Sequence, residues 1–236
     1  MKKKAILFDL DDTLLDFHRS EDVALRKTLC ENGVTPTDEM IKHYSEVNKS
    51  QWKLLEKGEL TREQVLHRRF EIFFSDLGLT CDPVKVQSGY ENALSQSYFY
   101  LDGAEELLDE LSQKYRLFVV SNGTAKVQDG RIALSGIGKY FEQIFISQRV
   151  GYDKPNPKFF DKCFELIGDL DRSDCFIVGD SLTSDIQGGK NAGITTVWYN
   201  LRGYERDPEI VPDYEIPSLD VLPIVAEMIF EEEIEE

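Results

Sequence analysis

Five short apolar runs constrain the fold of this 236-residue chain more than any other feature: "KAILFD" (4–9), "RLFVVSN" (116–122), "QIFIS" (143–147), "CFIVGD" (175–180) and "ITTVWYN" (194–200). Each is too short for helical periodicity, rich in β-branched and aromatic residues, and closed by a polar or turn residue, which is the pattern of a buried strand. Helical patterns lie between them: Leu107, Leu108 and Leu111; Phe159, Phe160, Cys163, Phe164 and Ile167; and a short stretch from Ser184, a plausible N-cap, to Ala192, closed by Gly193 as a C′ glycine. Strands and helices alternating at this spacing predict an α/β fold with a mostly parallel sheet and helices on both faces. Ligands of such folds bind at the carboxyl ends of the strands.

Residues 17–95 break the alternation, because they hold no convincing strand. Leu66, Phe70, Phe73, Phe74 and Leu77 instead form an apolar stripe on one helix that stops at Gly78. The stripe reads as bundle core. The expected organisation is a core domain of residues 1–16 and 96–236 interrupted by a helical insertion, 17–95.

With 41% hydrophobic and 11% aromatic residues the chain buries a substantial core. Its formal net charge is −17, five of those charges falling in the tail "EEEIEE", which reads as disordered. A body this acidic repels nucleic acid and anionic lipid, so neither is expected as a partner. Cys30, Cys81, Cys163 and Cys175 are scattered with no CxxC pair, which fits reduced thiols in a cytoplasmic protein. "MKKKAILF" imitates the start of a signal peptide, but only four apolar residues precede Asp9, against the roughly 7 to 15 of an export signal. No apolar run approaches the roughly 18 residues of a membrane span.

The first strand ends in "DLDDT", and its Asp9 and Asp11, two apart, point the same way from the sheet edge. Like charges this close are costly unless a cation or a proton offsets them. Asp9, Asp11 and Thr13 imitate the start of an EF-hand loop, yet Leu14 stands where that loop needs Gly and Ser20 where it needs Glu. A solvated acidic turn is the plain alternative. A second acidic group, Asp180 and Asp185 in "GDSLTSD", ends the fourth run; with the first pair it suggests a shared Mg²⁺ site, since Mg²⁺ takes a few carboxylates, water and substrate phosphate. Taken alone, Asp185 is only a dipole-favoured helix start. Ser121 in "VVSNG" is placed to hold phosphate oxygens together with turn N–H groups, although an Asn-Gly turn alone explains the same letters. Lys154 precedes a helix with Asn156 as N-cap and Pro157 at N1, so its ammonium and the helix dipole favour the same anion, unless it is an ordinary surface lysine.

In their order, "DLDDT", "SN", "K-P" and "GDSLTSD" resemble the four motifs of the haloacid dehalogenase superfamily. The resemblance covers 5–15 and about 100–200, with the helical insertion falling where that family carries its C1-type cap over a Rossmann-like core. It implies Asp9 as a nucleophile forming an aspartyl-phosphate, Asp11 as general acid/base and Thr13 as the residue orienting it. It also implies Ser121, Asn122 and Lys154 as phosphate holders. Mg²⁺ would be ligated by Asp9, the backbone carbonyl of Asp11 and Asp180, with Asp185 supporting or acting through water. An acid at Asp11 favours phosphatase over dehalogenase chemistry, because a halide leaves without a proton.

Phosphonate cleavage would need a desolvated cap lysine, and Lys42, Lys49, Lys53 and Lys57 are the candidates. "DDTLLDF", "KPNPKFFD" and "GDSLTSDIQGGKNAGITTVWYN" look most like the pyrimidine 5′-nucleotidase branch, which implies a nucleoside monophosphate as the small phosphorylated substrate. A phosphatase or mutase acting on a sugar phosphate such as phosphoglycolate or a hexose phosphate is the alternative. A non-catalytic phospho-acceptor is a third reading. "LLDFHRSE" and Trp52 offer contacts to the leaving group, His18 reading more simply as a surface residue. A monomer or weak homodimer is expected.

Overall fold

A computed structural model describes residues 4–232; the acidic tail from residue 233 lies outside the described residues. In chain order the elements are β1 (Ala5–Phe8), α1 (Phe17–Glu31), α2 (Asp38–Glu56), α3 (Arg62–Leu77), α4 (Pro83–Ser95), α5 (Ala104–Lys114), β2 (Arg116–Ser121), α6 (Ala125–Ser135), β3 (Gln143–Ile146), α7 (Ser147–Val150), α8 (Pro157–Ile167), β4 (Cys175–Gly179), a π-type turn over Leu182–Ile186, α9 (Gln187–Ala192), β5 (Thr195–Tyr199), β6 (Tyr214–Ile216) and α10 (Leu222–Glu232). The chain divides into two compact units.

The first unit holds the chain up to Asp16, Tyr100–Ala125 and the chain from Gly136. Its six strands run parallel in the order β3-β2-β1-β4-β5-β6 and are flanked by helices. All five expected strands form. The sixth, "YEI" at 214–216, escaped notice because a three-residue edge strand carries too little pattern. β1 is central, and its four residues are fully buried, as a parallel strand covered on both faces must be. The chain progresses outward from β1 through β2 and β3 on one side and through β4, β5 and β6 on the other. A switch point therefore lies between β1 and β4, and their pairing of Phe8 with Val178 brings the ends of both strands to one place. Phe159, Phe160 and Cys163 of α8 pack against Leu7, Val120 and Ile177 of the sheet, each such apolar side chain stabilising by roughly 1.5–3 kcal/mol. Asn156 does cap α8, accepting from Lys158 N at 3.0 Å, with Pro157 at N1.

The second unit holds Phe17–Phe99 and Lys126–Ser135. It is helical throughout, α1 packing on α4 and α2 on α3. α3 starts with a capping box between Thr61 and Gln64 and ends at Gly78 with φ 63°, the left-handed turn a glycine makes at little cost. Phe70, Phe73 and Phe74 of the expected stripe are buried, with the Tyr44 ring centred 4.8 Å from that of Phe70 and tilted 33° to it. The two ends of the stripe differ from expectation. Leu66 is only half-buried and Leu77 is exposed, and the buried face of α3 includes Val65 and the charged Arg69.

The boundary expected at 95/96 falls at 99/100, and α6, expected in the core domain, belongs with the helices. Val127 joins their apolar cluster, and Gly130 lets α6 approach so closely that a Cβ there would sit 2.3 Å from Ser95 O. The weak amphipathic pattern of "AKVQDGRIALS" concealed this. Among the described residues no helix is long and apolar enough to cross a membrane.

Candidate active site

The first unit gathers the predicted acids and lysine at the carboxyl edge of its sheet. Asp9 follows β1 directly, its N–H donating to Val178 O at 2.9 Å, and is 7% exposed. The next turn is tight: Leu14 N and Leu15 N both donate to Leu10 O, and Asp12 takes a left-handed φ of 57°, a conformation Asp tolerates better than most side chains. Asp11 and Asp12 are half-buried beside it.

Lys154 is 1% exposed, not a surface lysine. Its Nζ donates to Asp9 Oδ1 at 2.7 Å, Asp185 Oδ1 at 2.6 Å and Val120 O at 2.6 Å, which uses all three ammonium protons. Its main chain is fixed too: Lys154 N donates to Asn122 Oδ1 and Asn122 Nδ2 donates to Lys154 O, both at 2.8 Å. Asn122 is thus a clamp on the lysine's backbone. Ser121, buried at the end of β2, accepts from Gly123 N at 3.1 Å, so the turn after β2 is held by the hydroxyl. Thr13 donates to Asp9 Oδ2 at 3.5 Å and accepts from Asp180 N at 3.1 Å, joining the two strand ends; its bond runs to Asp9, whereas the expectation set it to orient Asp11.

Asp180 and Asp185 stand on the far side of the switch point. Asp180 is clamped by Thr13 and by Trp198 Nε1, which donates to Asp180 O at 2.8 Å. Its carboxylate is not among the acceptors of this network. Asp185 lies in the π-type turn, capped by Ser181 and not by Ser184 as expected; Ser184 N itself donates to Ser181 Oγ at 3.3 Å. Asp185 Oδ2 accepts from Ser181 N at 3.1 Å, so both of its oxygens are engaged. It reaches this position only because residue 179 is glycine: a Cβ there would lie 2.3 Å from Asp185 Oδ2. Nothing beside Gly179 in the sequence marks that close approach.

One carboxylate oxygen from each of Asp9, Asp180 and Asp185 falls within 4.8 Å of the others. Burial raises the Asp9 pKa to about 8; Lys154 pulls it down, and Asp185 and Asp11 push it up again. Burial likewise raises Asp180, reinforced by Asp12, Asp185 and Asp9. Burial disfavours the Lys154 charge, but Asp185 and Asp9 outweigh it and hold the ammonium above its ordinary pKa. One lysine is thus set against a group of acids. Hard carboxylate oxygens gathered this closely suit a Mg²⁺ ion, which would offset the excess negative charge. Beside them runs a groove lined by Asp12, Leu101, Asp180, Tyr199, Arg202 and Tyr204, with Arg202 Nη2 3.8 Å from Asp12 Oδ1.

The leaving-group candidates lie in the second unit: His18 is exposed, and Trp52 is half-buried with its Nε1 donating to Asn48 Oδ1 at 3.0 Å. Lys42, Lys49, Lys53 and Lys57 are all exposed, so none is desolvated for Schiff-base chemistry.

Known proteins place this geometry. The chain is 40% identical over 216 residues to the pyrimidine 5′-nucleotidase PynA of Streptococcus pneumoniae, covering 91% of each chain. It is 35% identical over 219 residues to the pyrimidine 5′-nucleotidase YjjG of Escherichia coli, covering 93% of this chain and 96% of that one. A crystal structure of the HAD-hydrolase YfnB of Bacillus subtilis, bound to magnesium, superposes with a TM-score of 0.90 at 35% identity, over 95% of this chain and 99% of that one. A family model of haloacid dehalogenase-like hydrolases matches residues 3–193, and the chain belongs to that family.

Proposed function

We propose that this hydrolase is a Mg²⁺-dependent phosphomonoesterase acting through an aspartyl-phosphate, with nucleoside 5′-monophosphates, pyrimidine ones foremost, as substrates. The observation that carries the reading is the Lys154 ammonium, buried and bridging Asp9 to Asp185 beside the cluster of acid oxygens. Phosphoryl transfer asks a protein mainly to position the reacting groups and to neutralise charge on the equatorial oxygens, and this arrangement supplies both.

In this reading Asp9 attacks phosphorus. Thr13 and Lys154 fix its two oxygens, so the attacking carboxylate meets the phosphoryl group without searching rotamers. Lys154, its three protons already placed, offsets phosphoryl charge from a fixed position, and the turn N–H groups after Ser121 hold the phosphoryl oxygens, Asn122 keeping the lysine in place through its backbone. Asp11 gives its proton to the leaving oxygen and later takes one from the water that hydrolyses the acyl phosphate. Asp9, the Asp11 carbonyl and Asp180 would hold Mg²⁺, with Asp185 anchoring Lys154 and supporting the site; when bound, the ion supplies positive charge that lets an anionic carboxylate approach an anionic phosphate. The helical unit, Phe17–Phe99 with Lys126–Ser135, serves as the cap.

Purified protein is expected to release phosphate from phenyl phosphate and from UMP when Mg²⁺ is added and not in excess chelator. Asp9→Asn lowers kcat at least ~10³-fold, the scale on which enzymes lose an essential nucleophile, while the melting temperature is retained. A variant as active as the parent removes Asp9 from the nucleophile's role.

A further inference from the structure

β4 ends at Gly179, so the main chain of Asp180 stands just past the strand, where its N–H and C=O need partners of their own. Two side chains supply them. Thr13 Oγ1 accepts from Asp180 N at 3.1 Å, and Trp198 Nε1 donates to Asp180 O at 2.8 Å. Thr13 comes from the turn after β1 and Trp198 from β5, the two strands that flank β4, and both side chains are buried. Asp180 is held from either side.

Trp198 is in register with Gly179, which sets it on the face of the sheet where Asp185 takes the space that a side chain at 179 would fill. Packing there asks only for a large flat ring, and phenylalanine would supply one. What the indole adds is a single donor, and that donor is spent on the backbone of an acid. With its N–H and C=O both engaged, Asp180 keeps only its two side-chain torsions free. No bond of this network goes to its half-buried carboxylate, one oxygen of which lies within 4.8 Å of oxygens of Asp9 and Asp185. A carboxylate fixed through its main chain and left open at its oxygens is preset for a cation, and bonds behind a metal ligand are what set its orientation.

We propose that Trp198 is a positioning residue for Mg²⁺, its indole N–H fixing the main chain of Asp180 so that the carboxylate is presented to the ion. The inference rests on the Mg²⁺-dependent reading of the site and adds to it a residue that lies outside all four acid and lysine motifs.

Trp198→Phe keeps a ring in place and deletes the donor. Calorimetric titration should show its Mg²⁺ dissociation constant raised by ~10- to 100-fold, the range over which a lost outer bond weakens a metal site. Gly130→Ala, in the other unit, is the control for destabilisation alone and should bind Mg²⁺ as the parent does. A spectroscopic readout is built in, because Trp52 and Trp198 are the two tryptophans of the chain. Emission of Trp52→Phe, which comes from Trp198, should change saturably with Mg²⁺, whereas that of Trp198→Phe should not. A folded Trp198→Phe that binds Mg²⁺ as tightly as the parent overturns the proposal and leaves the indole a packing role. If that variant does not fold, the emission of Trp52→Phe decides: a saturable change upholds the proposal, and none overturns it. A parent that binds no Mg²⁺ overturns the proposal together with the metal reading. Weakened Mg²⁺ binding by Trp198→Phe, in a protein that releases phosphate from no ester, upholds the positioning role and discards the phosphatase reading.

Discussion

The acid and lysine site of the first unit and the polar cluster of the second both bury charge, but they finish their hydrogen bonds differently. Around Lys154 every ammonium proton is spent, and Asp9 and Asp185 are pinned. Around Arg69 the guanidinium fixes Gln87 and Asn48, yet a donor and an acceptor at the edge stay open. A group that attacks has to be held before the substrate arrives, because each misplaced ångström costs rate. Closed bonding therefore suits chemistry, whereas around Arg69 two buried polar atoms, Gln87 Nε2 and Gln51 Oε1, are left unpaired.

The largest test of this contrast is Lys154→Met. Removing the ammonium leaves Asp9 and Asp185 facing each other in a buried place, so chemical denaturation should record a loss of ~3–5 kcal/mol. Adding Asp185→Asn should restore part of it, since coupled neighbours are not additive. Equal costs for the single and double variants would mean that the lysine does not hold these acids. Gly179→Ala comes next. Its methyl must displace Asp185, and with it Lys154, so kcat should fall ~10²-fold on every phosphate ester while the protein stays folded.

Gly130→Ala acts on the other unit. The Cβ meets the backbone oxygen of Ser95, and overpacking of this kind costs ~1–3 kcal/mol, read as a lower melting temperature. The smallest effect sharpens the comparison by pH. Burial raises the Glu21 pKa above its ordinary 4.5, against opposing bonds from Ser45 and Asn48 and the charges of His18 and Arg69. The folded protein therefore binds that proton more tightly than the unfolded chain, and the stability Glu21 contributes is present below pH 4.5 and falls as pH rises. Glu21→Gln should melt with the parent near pH 4 and ~2–4 °C above it near neutrality. A constant difference across that range would show that folding leaves the Glu21 pKa where the unfolded chain has it.

Much of the first unit was legible because its parts are local. Asp9 follows the first strand directly with Asp11 two residues on in the turn, Asn156 and Pro157 announce the start of α8, and the apolar runs name the strands before any partner is known. The second unit was legible only as apolar stripe. Arg69 sits on the buried face of α3 between Val65 and Phe73, and its partners come from α2 and α4, so nothing near it in the chain marks it as buried. α6 hid for a related reason: its attachment depends on a missing methyl at Gly130 and a single buried Val127, neither of which produces periodicity.

By itself the sequence determined that this chain forms a parallel sheet carrying acids at its strand ends, because strand pattern and the two-residue alternation of side chains are properties of adjacent residues. Only the tertiary structure decided that Lys154 spends its protons on Asp9, Asp185 and Val120, that Gly179 makes room for Asp185, and that two glutamines keep one donor and one acceptor open. Those are facts of distance between groups far apart in the chain, and distance exists only once the elements have packed.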